Sequence, residues 1–127
     1  MHVGILQFEL VVPGSTSLKD KRRVVKSLKD RLHRAHLVSV AEVGALDHHR
    51  LALMGVAMVS NSTAHIGSTF DRILEKVRAL GVAHLGDVSR EIFSGDVGSG
   101  AAGDDASALW SEDERRGGAA SPVENAA

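Results

Sequence analysis

The order of hydrophobic periodicities over the first 93 residues constrains the fold of this chain most strongly. Alternation with a period of two predicts strands, and apolar residues recurring every three or four positions predict amphipathic helices. Three of the four transitions between the two fall at turn-forming or helix-capping residues: Pro13-Gly14 with Ser17, the Ser60–Thr63 segment, and Gly81. The predicted elements are a strand over 2–12, a helix over 18–36, strands over 37–43 and 50–59, a helix ending at Leu80, and a strand over 82–93.

This β-α-β-β-α-β order predicts an α+β fold of the ferredoxin-like type. In that fold a four-stranded antiparallel sheet carries two helices on one face. The first and third strands are central in this arrangement, and they are the two strands whose sequences are apolar on both faces. Gly81 is predicted to end the second helix in the left-handed conformation.

The sheet face without helices is a candidate interface. Because the two central strands are apolar on both sides, we expect apolar side chains there, and contiguous exposed apolar patches mark interaction surfaces. The residues assigned to this face are Val3, Ile5, Val11, Met54, Val56 and Met58. Ile5, Met54, Val56 and Met58 are expected to form the interface of a homodimer, and docking of a different protein is the alternative.

Charge divides the chain into two parts. Residues 1–93 hold 13 Lys/Arg and 9 Asp/Glu, a net charge of +4, whereas residues 94–127 hold 2 and 7, a net charge of −5. The second part is rich in Gly and Ala and has no apolar period, so we expect a disordered acidic tail after a ferredoxin-like domain over 1–93. The tail is expected to be a solubilising extension or, alternatively, a competitor that screens the basic helix.

The totals exclude several classes of protein and site. The chain has no Cys, so disulfides and thiolate chemistry are excluded. No apolar run approaches the ~20 residues that span a membrane, and the N-terminus resembles a strand more than a signal peptide. A cytoplasmic protein is expected, with no membrane partner.

The first helix is strongly basic. Ser17 is predicted to cap it, with Asp20 three positions later. Its outward cations form a stripe about 15 Å long at 1.5 Å per residue, enough to reach a few phosphates. The residues predicted to bind RNA or another anion are Ser17, Lys19, Arg22, Arg23, Lys26 and Lys29. The alternative is an ordinary solvated helix face, since Lys and Arg are good helix formers.

Lys21 differs from these neighbours because it lies in phase with the apolar residues of the helix. A lysine there either extends past the end of the sheet or meets a carboxylate. We expect a partly buried ion pair, and the candidates for its acidic partner are Glu42 in the second strand and Glu9 in the first.

Catalysis and metal binding are not expected. The loop after the first strand, P-G-S-T-S, lacks the arginine of an acylphosphatase-type anion cradle, and no glycine-rich nucleotide motif is present. Asp47-His48-His49 has no partner ligands at a recognisable spacing, so an ordinary loop is expected there. The hypothesis from the residues is a protein without cofactors that binds structured RNA or ribosomes, and no small-molecule substrate is identified.

Four segments resemble the YlxP-like family of small bacterial proteins of unknown function. They are M-H-V-G-I-L at the start, S-L-K-D-K-R at 17–22, S-V-A-E at 39–42 and L-M-G-V-A-M-V-S-N at 53–61. The resemblance covers residues 1 to about 93 and implies a ferredoxin-like fold. It also implies genes beside those for translation initiation and ribosome-binding factors, and it supplies no catalytic residues. This chain departs from the family by Asp47-His48-His49-Arg50 in place of a Trp-Gln-Arg-like run, and by its longer tail.

Overall fold

Six regular elements alternate along the chain in the predicted order. The computed structural model describes residues 1–95, so the predicted tail lies outside the described residues from residue 96 onward. The elements are β1 (His2–Val11), α1 (Leu18–Ala35), β2 (Ser39–Gly44), β3 (Leu51–Ser60), α2 (Thr63–Arg78) and β4 (His84–Ser94). Their bounds differ from the predicted ones by no more than about two residues, a usual uncertainty for helix and strand ends.

The four strands form one antiparallel sheet in the order β2-β3-β1-β4. With two helices packed on it, this is the ferredoxin-like sandwich, and the predicted fold class is confirmed. β1 and β3 are the central strands, paired in register from His2–Ser60 to Val11–Leu51. β2 and β4 are the edges, and each carries one irregularity in its pairing.

Every second side chain of β1 points into the core beneath the helices. Leu6, Phe8 and Leu10 are completely buried there. α1 contributes a stripe at a spacing of three to four residues, and α2 packs a second stripe against the same layer. The helical core residues are Val25, Leu28, Leu32, Ile66, Phe70, Ile73, Leu74 and Val77.

Gly4 sets how closely α2 approaches the sheet. A Cβ placed on Gly4 would collide with Ile66 Cγ2 and would lie 2.8 Å from Phe70 Cζ. The position therefore requires a residue without a side chain, because the backbone of β1 directly contacts the side chains of α2.

The assignment of Met54, Val56 and Met58 to the open sheet face is wrong. Their exposures are 0%, 2% and 7%, and the register places them opposite Phe8, Leu6 and Gly4, on the side of the helices. Both alternating sets of β3 are apolar, so the hydrophobic pattern alone does not distinguish its faces. The bulkier set fills the core.

The predicted role of Gly81 is also wrong. No glycine among residues 1–95 has a positive φ. α2 instead ends at Arg78, and the capping residue Ala79 keeps a helical backbone and donates its N–H to the Glu75 carbonyl 3.0 Å away. The residue with left-handed φ is Ala45, at 58°, in the loop between β2 and β3.

Candidate functional site

The N-terminus of α1 is capped by hydrogen bonds among neighbouring residues of the chain. Ser17 Oγ accepts a hydrogen bond from the Asp20 amide at 3.1 Å, and Asp20 Oδ2 accepts from the Thr16 amide at 3.1 Å and its hydroxyl at 2.8 Å. The Thr16 hydroxyl and amide, helped by the charges of Arg23 and Lys19, hold the pKa of the Asp20 carboxyl below its usual value. A phosphate at Ser17 would face this carboxylate, which disfavours a separate anion site there.

Lys21 turns from the same turn of the helix into the protein. Its side chain is about 1% exposed, and its Nζ lies 2.7 Å from Glu42 Oε2. Among residues 1–95, Glu42 Oε2 has no hydrogen-bond partner besides this ammonium group. Of the two carboxylates left open by the sequence, the structure thus places Glu42 beside Lys21. Glu9 points to the opposite face of the sheet, where its Oε1 accepts from the Asp87 amide at 3.1 Å.

The ammonium group of Lys21 also orders the connection between β2 and β3. It donates to the carbonyls of Ala45 at 3.0 Å, Leu46 at 3.4 Å and Leu51 at 3.1 Å. Ala45 holds the positive φ of this loop, a conformation that costs a non-glycine residue about 1–2 kcal/mol. Lys21, Glu42 and these three carbonyls form what we name the buried lysine site, and its contacts indicate a structural role.

The remaining cations of the motif face solvent. Lys19, Arg22, Arg23 and Lys26 are exposed and Lys29 is half-buried; these five residues are the basic stripe. Asp30 Oδ2 lies 3.3 Å from Lys26 Nζ, in an exposed pair with side chains 49% and 77% accessible. Such a pair contributes little to stability. The structure therefore brings the predicted cations together on one side of α1, with Asp30 as a nearby acidic group.

A second basic feature lies between the two helices. A cleft of about 450 Å³ is lined by Leu28, Arg31, Arg34, Ala35, Lys76, Ala79 and Leu80, which we name the helix cleft. Among the described residues that line it, none is acidic. The apolar residues come from α1 and from the two residues that follow α2, so the cleft combines an apolar floor with a cationic rim.

The pKa of His36, at the end of α1, is sensitive to the positive charges beside the helix cleft. Its Nε2 lies 3.4 Å from Lys76 Nζ. Burial, and then the charges of Lys76 and Arg72, lower the pKa of the imidazole. The positive charges beside His36 therefore come from α2, and Arg31 and Arg34 of α1 add theirs at the cleft.

The sequence prediction did not include the helix cleft. Arg31 and Arg34 lie C-terminal to the basic stripe on α1, and their neighbour Lys76 is more than 40 residues away in the chain. The available signal was the i, i+4 pair Arg72 and Lys76, which places two cations on one side of α2.

The open sheet face differs from the predicted one in its composition. Ile5 lies there as expected, half-buried, and its register neighbours are Ala57 and Glu91. Val3 lies two residues before Ile5 on the same face of β1. It pairs with Val59 and with Phe93, which are 59% and 50% exposed. A continuous apolar patch therefore exists on this face, formed by other side chains of β3 than those predicted.

The loop with the adjacent histidines is held by one contact within the loop and by one to the segment after β1. His48 Nδ1 accepts from the Arg50 amide at 3.1 Å, and Arg50 Nε donates to the Ser15 carbonyl at 3.2 Å. In residues 1–95, no cluster of three or more His, Asp or Glu is arranged to hold a metal ion. Within the same residues, no helix is both long and apolar enough to cross a membrane.

Comparison with known proteins gives a match at the level of a family. The model of the family described as "Protein of unknown function (DUF503)" matches residues 3–90. The uncharacterized protein YlxP of Bacillus subtilis (strain 168) is 31% identical over 72 residues, which cover 57% of this chain and 78% of that protein.

Similar solved structures include two de novo designed proteins. Foldit4 is 14% identical with a TM-score of 0.47, covering 76% of this chain and all of the design. A design described as having a ferredoxin fold is 13% identical with a TM-score of 0.44, covering 78% of this chain and 91% of the design.

Proposed function

The chain belongs to the DUF503 family, whose function is unknown, and we propose that it associates with structured RNA, including ribosomal RNA, without catalysing a reaction. The observation that supports this proposal is the basic stripe on the exposed side of α1. The proposal includes no cofactor, and it includes a cytoplasmic location for the protein.

The charge of the whole helical layer supports the same proposal. α1 and α2 together carry 11 Lys/Arg and 4 Asp/Glu. Lys21 is neutralised internally by Glu42, which leaves ten outward cations against four carboxylates. A surface with this excess attracts a polyanion, and its affinity falls as salt rises because binding releases counterions from the phosphates.

The mode of binding follows from the side chains available. The described helical layer offers cations and hydroxyls, and its aromatic residue Phe70 is completely buried. Stacking of bases on exposed aromatic rings is therefore not available on this face, and recognition rests on phosphates and on RNA shape. Double-stranded or otherwise structured RNA, whose phosphates are held at fixed positions, matches a rigid stripe of cations.

The proposal is tested by co-sedimentation with purified ribosomal subunits over a range of salt concentrations. The triple variant R22E, R23E and K26E is expected to abolish sedimentation at low salt. The single variant Arg22→Glu is expected to weaken sedimentation, and Arg78→Glu is its control, because both residues are exposed and Arg78 lies outside the basic stripe. Unchanged sedimentation of the triple variant would contradict the proposal.

A second candidate function rests on the open sheet face, which we propose as a homodimer interface or a docking surface for another protein. β1, β3 and β4 have 10, 10 and 11 residues and β2 has 6, so at ~4.8 Å spacing the sheet presents a footprint of roughly 600 Å². That is close to the ~800 Å² per partner of a standard interface. The exposed Val59 and Phe93 in this patch support the candidate.

Sedimentation equilibrium tests this second candidate. Val59→Lys combined with Phe93→Lys is expected to convert a dimer to a monomer. Val82→Lys is the control, because Val82 is 62% exposed in the loop before β4 and lies outside this patch. If the wild-type protein is monomeric at high concentration, the homodimer hypothesis is excluded and docking of another protein remains as the proposed role of this face.

A further inference from the structure

The helix cleft has a composition that the basic stripe lacks. The stripe presents charges on a convex helix surface, whereas the cleft has an apolar floor formed by the buried Leu28 and the half-buried Leu80 beside a cationic rim. We propose that the helix cleft receives one unpaired nucleotide of the bound RNA, with its phosphate at Lys76 and one of the two rim arginines, Arg31 or Arg34, and its base on the apolar floor. This inference rests on the proposed function and names the part of the RNA that is recognised.

The dimensions of the helix cleft suit a ligand of this kind. Its volume of about 450 Å³ falls within the ~300–1,000 Å³ of small-ligand pockets, which are mostly apolar with a few placed polar groups. A nucleotide has a flat, largely apolar base at one end and an anionic phosphate at the other. The two ends correspond to the floor and the rim.

Arginine at the rim replaces the aromatic platform that other RNA-binding proteins use. A guanidinium plane stacks on a base as well as pairing with a phosphate. Arg31 and Arg34 both line the cleft, so one can stack while the other binds the phosphate.

The position of the cleft relative to the basic stripe favours RNA over an acidic peptide as its occupant. Both features share α1, and the diameter of a helix with its side chains is about 10–12 Å. A nucleic acid whose backbone lies on the stripe thus has neighbouring nucleotides within reach of the cleft. A peptide with a few carboxylates would use the cleft alone and would leave the stripe without a partner.

The test compares two RNA hairpins that are identical except for one bulged nucleotide. Wild-type protein is expected to bind the bulged hairpin at least tenfold more tightly than the fully paired one. Ala79→Trp fills the cleft from an exposed position and is expected to remove this preference, while the affinity for the paired hairpin stays unchanged. Ala64→Trp, at an exposed position of α2 outside the cleft, is the control and is expected to keep the preference.

A second variant and a second readout guard against misfolding. Ala35→Trp fills the cleft from α1 and is expected to match Ala79→Trp, and the circular dichroism spectra of both are expected to match the wild type. The imidazole of His36 provides an NMR signal beside the cleft. Because a bound phosphate offsets the charges of Lys76 and Arg72, the bulged hairpin is expected to raise the pKa of His36 in the wild-type protein and not in Ala79→Trp.

The outcomes separate this inference from the function on which it rests. Equal affinity of the wild type for both hairpins overturns the nucleotide site and leaves RNA binding by the stripe intact. Binding of neither hairpin at low salt overturns both. A hexaglutamate peptide that perturbs the His36 signal, in a protein that shows no bulge preference, would assign the cleft to acidic peptides instead and would also overturn the nucleotide site.

Discussion

Lys21 and Lys26 lie five positions apart in α1, yet they belong to two different regions of the molecule. In the buried lysine site the charge of Lys21 is enclosed by Glu42 and three backbone carbonyls. In the basic stripe the side chain of Lys26 is 77% exposed and its partner Asp30 is also on the surface. The same residue type therefore has two roles. The lysine at position 21 orders a loop, and the lysine at position 26 remains available to a ligand.

The largest expected effect separates the two regions by stability. Lys21→Met leaves Glu42 without its partner and the loop carbonyls without their donor, so it is expected to lower the free energy of unfolding by about 3–5 kcal/mol. Lys26→Met is the matched control and is expected to change it by less than ~0.5 kcal/mol. Urea unfolding followed by circular dichroism measures both.

Replacing both Lys21 and Glu42 tests whether the stability lost in Lys21→Met comes from the unpaired Glu42 carboxylate. Because replacement of a complete buried pair by apolar residues is often nearly neutral, Lys21→Met with Glu42→Leu is expected to regain part of the lost stability. Equal costs for Lys21→Met and Lys26→Met would show that the burial of Lys21 carries no energetic weight.

A smaller effect is expected at the loop that Lys21 orders. Ala45→Gly removes the penalty of the left-handed φ, but glycine gains freedom in the unfolded chain, so a net gain of about 0.5 kcal/mol is expected. Ala64→Gly, at an exposed position within α2, is expected to lose about 0.5–1 kcal/mol. The same unfolding experiment is used, and a loss at Ala45 as large as at Ala64 would argue against a strained loop.

Asp30 allows a gain of function in the basic stripe. Asp30→Asn frees Lys26 and removes a negative charge, so the affinity for structured RNA at low salt is expected to rise about two- to threefold, from a surface interaction of roughly 0.5 kcal/mol. Asp71→Asn is the control, because Asp71 also pairs with a cation, Arg90, but lies outside the stripe. Fluorescence anisotropy with a labelled hairpin measures the change; equal gains in both variants would indicate only a general effect of net charge.

The smallest effect concerns the pH dependence of stability through His36. Its pKa is lower in the folded protein than the ordinary value of 6.5, so the unfolded state binds more protons between these two values. The contribution of His36 is complete above pH 6.5 and is lost as the pH falls through that window. His36→Gln is expected to lose less stability than the wild type between pH 7 and pH 5, while His33→Gln, at an exposed position, is expected to follow the wild-type curve.

The sequence was sufficient for the fold because several kinds of local signal agreed. The capping Ser17, the two helical periodicities and the turn residues predicted the order of elements, and that order has few antiparallel solutions. The phase of Lys21 with the core residues predicted its inward direction. The sequence did not decide whether Glu42 or Glu9 is the partner of Lys21, because the choice depends on the pairing of strands that are distant in sequence.

The rest depended on tertiary structure. The faces of β3 were assigned wrongly because Met54, Val56 and Met58 alternate with residues that are also apolar, and only the register with β1 distinguishes the two sets. The helix cleft was missed because its rim joins Arg31 and Arg34 of one helix to Lys76 of the other. No periodicity within either helix indicates how the helices lie side by side.

The salt dependence of RNA binding tests the central claim most directly. If the basic stripe contacts two or three phosphates, the logarithm of the association constant for a structured RNA is expected to fall with the logarithm of salt concentration with a slope of roughly −2 to −3. Arg22→Ala with Lys26→Ala is expected to bring the slope towards −1, whereas Arg78→Ala leaves it unchanged. An identical slope in all three proteins, or no binding at low salt, would contradict the assignment of the stripe to RNA.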